Sequence, residues 1–97
     1  MPDIYLVDML LKEGVSRDEV EDVLEIALDW YRYKRTTWIV VTDLGAAALN
    51  EQLLPFAQPD GQLFICRLDV SERKGWMNRE FWRWLRNTTR SLKEKRA

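Results

Sequence analysis

The chain has 97 residues, 46% of them hydrophobic and 32% charged, with 15 basic and 16 acidic side chains. That balance suits one domain with a core, spanning residues 1–97 with a frayed end at 93–97, and argues against a disordered chain. The absence of histidine and the presence of one cysteine exclude Ser-His-Asp and Cys-His nucleophile systems, histidine- or thiolate-held zinc, and an internal disulfide.

The opening "MPDIYLVDMLLKEG" has no basic leader and no small-residue cleavage site, so no signal peptide is expected. Its apolar run, 3–11, predicts a strand buried on both faces. "SRDEVEDVLEIALDWYRYK" (16–34) predicts a helix. Ser16 and Glu19 have the spacing of a capping box, and Val20, Val23, Leu24, Ala27, Trp30 and Tyr31 form an apolar stripe. "TTWIVVT" (36–42) predicts a second strand from its β-branched residues, and 43–57 a short helix ended or kinked by Pro55. "QPDG" (58–61) is a turn, "QLFICRLDV" (62–70) a third strand, and "SERKGW" (71–76) a loop. Asn78 is placed to cap a last helix running to about Leu92. No stretch approaches the ~20 apolar residues of a membrane span, so no membrane partner is expected. Cys66, in an apolar run, is expected to be buried and inert, which suits a reducing cytoplasm.

Strand–helix alternation predicts helices layered on a small sheet. Two sheets fit it. One is a small parallel βαβαβα sheet with right-handed crossovers. The other is an α+β, ferredoxin-like split unit carrying a C-terminal amphipathic helix. In that version "KRTTWIVVTDLG" (34–45) must supply two strands.

The stretch "TTWIVVTDLGAAALNEQLLPFAQPDGQLFICRL" (36–68) resembles the small SinR-like bacterial proteins. Those are similar in turn to the second CRISPR-associated protein of the spacer-integration complex and to VapD-type toxins. The resemblance covers residues 3–70 or so and implies a ferredoxin-like fold and a homodimer. Some such relatives cut RNA or DNA with a metal; others act only as scaffolds. In the nuclease relatives the first strand ends in Tyr-Asp, whereas this chain has Val7-Asp8, so the aspartate matches and the tyrosine does not.

Asp8, Asp43 and Asp69 each fall at or near a predicted strand end. In a parallel sheet they would meet at one edge and could hold Mg2+ through oxygen ligands, which would activate water against a phosphodiester. Asp8 is the candidate catalytic residue and metal ligand. The simpler reading is that Asp43 caps the helix starting at Gly45 and Asp69 ends a strand.

Charge is divided along the chain. Residues 1–66 carry 5 basic and 12 acidic side chains, and residues 67–97 carry 10 and 4. On a helical wheel Arg79, Arg83, Arg86, Arg90 and Lys93 share one face, opposite Phe81, Trp84, Leu85, Thr88 and Leu92. Such a row can track a phosphate backbone; its alternatives are an acidic protein, such as the Glu21 and Glu25 flank of a neighbouring copy, or solvent. Arg32, Lys34 and Arg35, interleaved with Tyr31 and Tyr33, form a second cluster that either stacks nucleotides or ends the first helix. Three functions follow. One is a homodimeric nucleic-acid-associated or scaffold protein. The second is a metal-dependent endonuclease, and the third is a protein-interaction module.

Overall fold

The computed structural model describes residues 2–96. In chain order they form β1 (Asp3–Leu10), α1 (Arg17–Leu24), β2 (Asp29–Lys34), β3 (Thr37–Thr42), α2 (Ala46–Leu53), β4 (Gln62–Leu68) and α3 (Arg79–Arg96). The chain divides into two compact units, residues 2–68 and residues from Asp69 onward.

In the first unit the four strands make one sheet in the order β2-β3-β1-β4. Every neighbouring pair is antiparallel. The fold is therefore α+β with a wholly antiparallel sheet, and the fold-class expectation is corrected in its sheet and in the source of its strands. No pair is parallel, so the parallel βαβαβα sheet is excluded. The ferredoxin-like version drew two strands from 34–45, and that also does not happen: those residues supply β3 and only the last residue of its hairpin partner β2, the rest of which is cut from the predicted first helix.

The reason lies in residues 25–34. Helix α1 starts as its sequence predicts, with the Glu19 carboxylate accepting the Ser16 backbone N–H at 2.8 Å. After Leu24 it unwinds through two tight turns, Ile26 N–H to the Val23 carbonyl (3.2 Å) and Ala27 N–H to the Leu24 carbonyl (2.9 Å). The Leu28 N–H then bonds the Val41 carbonyl at 2.9 Å, and pairing continues from Asp29↔Val41 to Lys34↔Thr37 with a bulge between Arg32 and Lys34.

Helices α1 and α2 cover one face of this sheet. Tyr5, Val7 and Met9 of β1 and Trp38 and Val40 of β3 meet Val20 and Leu24 of α1 and Leu49 and Leu53 of α2 there. Each fully buried leucine of this set contributes about 1.5–3 kcal/mol. Two glycines are required by geometry. Gly45 precedes α2 at φ +85°, where a side chain is strained. Gly61 packs so closely that a Cβ would run into the backbone oxygens of Leu10 and Ala57.

In the second unit α3 begins at its expected cap: the Asn78 side-chain oxygen accepts the Phe81 N–H at 2.7 Å. The helix continues to Arg96, past the end expected near Leu92; Ala97 lies outside the described residues.

Candidate nucleic-acid interface

Helix α3 sorts its side chains as an amphipathic helix must. Phe81, Leu85, Thr88 and Leu92 are buried. Arg79, Arg83, Arg86, Arg90 and Lys93 are all exposed. At 100° per residue these five fall within about 80° of arc, and the row is about 21 Å long. Among the described residues none of the five has a carboxylate within ion-pair distance. The row is a line of positive charge that none of the described carboxylates pairs with at ion-pair distance.

The loop leading into α3 adds an aromatic group. The Trp82 ring lies edge-on to Phe81, with centroids 5.3 Å apart and planes at 74°. It also lies against Gly75, where an added Cβ would sit 3.8 Å from the indole. Trp76, the next residue, is 99% exposed. Sequence reasoning missed it: "SERKGW" has no helical or strand period, so nothing local assigns its tryptophan to core or surface.

The carboxylates do not converge. Asp8 is not at the end of β1; Met9 and Leu10 follow it in the strand. It sits in register between Thr37 of β3 and Phe64 of β4, and its carboxylate accepts the Thr37 hydroxyl at 2.6 Å. Asp43 follows β3 at the opposite sheet edge, where β1 begins and β4 ends. It does not cap α2, whose N-cap is Gly45 without a side-chain bond. Asp69 follows β4, and its carboxylate accepts the Ser71 N–H at 2.9 Å. The Ser71 hydroxyl and then the Ser71 N–H hold its pKa below the ordinary value of 3.8, so it is a poor proton donor near neutrality. Among the described residues no group of three or more cysteine or acidic side chains is placed to hold a metal. For Asp8 to bind Mg2+, oxygen ligands would have to come from elsewhere.

The second basic cluster is split. Arg32 and Lys34 lie on strand β2, not at a helix end. Arg32 pairs with Glu21 at 3.3 Å, and the same carboxylate oxygen accepts the Trp38 indole N–H at 2.9 Å. Glu25 accepts the Trp30 indole N–H at 3.3 Å. The two glutamates offered as partners for a neighbour's basic row are thus engaged within their own chain. Cys66 is exposed, which corrects the expectation of a buried thiol. Strand β4 is an edge strand, and the two-residue alternation that turns Ile65 toward the core puts Cys66 on the other face.

In comparisons with protein-family models, curated proteins and solved structures, nothing matches this chain. Among the described residues no helix is long and apolar enough to cross a membrane.

Proposed function

We propose that this chain is a homodimeric nucleic-acid-associated protein that holds a phosphate backbone along the basic face of α3. The observation that carries the reading is the exposed row Arg79, Arg83, Arg86, Arg90 and Lys93, with no carboxylate within ion-pair distance among the described residues. Arginine's planar guanidinium fork suits phosphate oxygens, and a row on one rigid helix loses little freedom on binding. Sequence is not read by such contacts, so the binding is general. The engaged state of Glu21 and Glu25 supports this reading over an acidic protein partner. No reaction is assigned.

The test is fluorescence anisotropy with labelled oligonucleotides at two salt concentrations. Five phosphate contacts on duplex DNA predict a loss of about 500-fold in affinity between ~50 and ~200 mM salt. Arg83→Glu with Arg86→Glu should abolish binding while the circular-dichroism melt stays near that of the parent, since both side chains are exposed. Absence of salt-sensitive binding by the parent protein would sink the proposal.

A further inference from the structure

We infer that the nucleic acid taken by this face is single-stranded, with Trp76 as the stacking platform for an unpaired base; the inference rests on the phosphate-binding reading of α3. Tryptophan is ordinarily among the more buried side chains, because its large ring gains most from leaving water. Trp76 gains nothing of the kind: it is 99% exposed. Two of the other three aromatic residues in the same unit are accounted for differently. Phe81 is buried, and Trp82 is half-buried with its ring set against Phe81 and Gly75.

The flanking residues place Trp76 near the start of α3. Gly75 faces the Trp82 indole, which an added Cβ would reach at 3.8 Å, and Asn78 is tied to the first turn of α3 by accepting the Phe81 N–H. Trp76 lies between these two residues, three residues before Arg79, so its Cα is within about 11 Å of the first arginine of the row. An aromatic face beside a line of cations is what binding of unpaired strands requires: phosphates lie along the charges while a base stacks on the ring. In a duplex every base face is already covered by its neighbours, so the ring has nothing to add there. A lipid surface also attracts basic side chains and tryptophan, but it needs a free apolar helix face. On α3 that stripe, Phe81, Leu85 and Leu92, is already buried.

The experiment uses the full chain with a labelled 20-nucleotide oligothymidine, a duplex of equal length, and vesicles containing phosphatidylserine. The expected result is tighter binding of the single strand than of the duplex, with quenching of tryptophan emission. Trp76→Ala should weaken single-strand binding by about 5- to 100-fold, the contribution of one stacked base, and leave duplex binding unchanged. The salt slope should not move, because no charge is lost. Trp76→Phe should restore part of the affinity. Equal loss on both substrates, no loss at all, or vesicle binding without single-strand binding overturns the inference while leaving the basic row to be judged by its own charge-reversal variant. No binding of any oligonucleotide overturns both.

Discussion

Glu21 shows how much one carboxylate can settle. A single oxygen accepts from the Trp38 indole, whose residue is fully buried, and from Arg32. The two bonds differ in weight. The Arg32 side chain is 35% exposed, so its ion pair is screened and contributes no more than about 1 kcal/mol. The indole N–H has no route to water, so losing its acceptor costs about 1–3 kcal/mol. Glu21→Ala should therefore lower unfolding stability by that larger amount. Glu21→Gln keeps an acceptor and should cost well under half as much. Urea denaturation of both variants checks this, and equal losses would show that the ion pair, not the indole, matters.

At the scale of elements, α3 and β2 stand in contrast. The ends and faces of α3 are set by its own residues: a cap at Asn78, then cations and apolar groups at helical spacing. Removing the cap leaves the Phe81 N–H without its acceptor at the helix start. Asn78→Ala should cost about 1 kcal/mol, seen as a lower urea midpoint with unchanged slope, while Asn78→Asp should cost little. Strand β2 has no such autonomy. Trp30 and Tyr31 extend the stripe of α1 at helical spacing, yet Trp30, Arg32 and Lys34 also alternate with Tyr31 and Tyr33 as a strand would. Both periods fit six residues equally well. The hydrogen bonds offered by β3 decide between them, since that strand would otherwise present an unpaired edge.

For the whole molecule, the charge polarity of the sequence follows the division into units. Residues 2–68 carry 6 basic and 12 acidic side chains, and residues 69–97 carry 9 and 4. The acidic pI of about 5.5 thus averages over a unit with an opposite local field. The proposed dimer is supported by Leu10 and Phe64, exposed at 56% and 59% on adjacent strands beside the β4 edge. Light scattering at ~100 μM should give twice the chain mass, and Phe64→Lys should return it to the monomer mass, because a buried unpaired charge is costly at an interface. A monomer in the parent protein at that concentration ends the proposal.

What the residues determined alone is whatever rests on short-range order: the start of α1, strands β3 and β4, the turn before β4, and the cap and two faces of α3. The basic row was legible because all five of its members ride on one helix, where spacing alone gives direction. The tertiary structure decided the rest. Asp8 separates from Asp43 and from the end of β4 because β1 runs opposite to both of its neighbours, which no single strand can announce. Cys66 and Trp76 are exposed because burial depends on which surfaces another element covers. Residues 25–34 carry two compatible periods, and only a partner strand distant in sequence, pairing through Val41 to Thr37, could choose the one that satisfies the backbone.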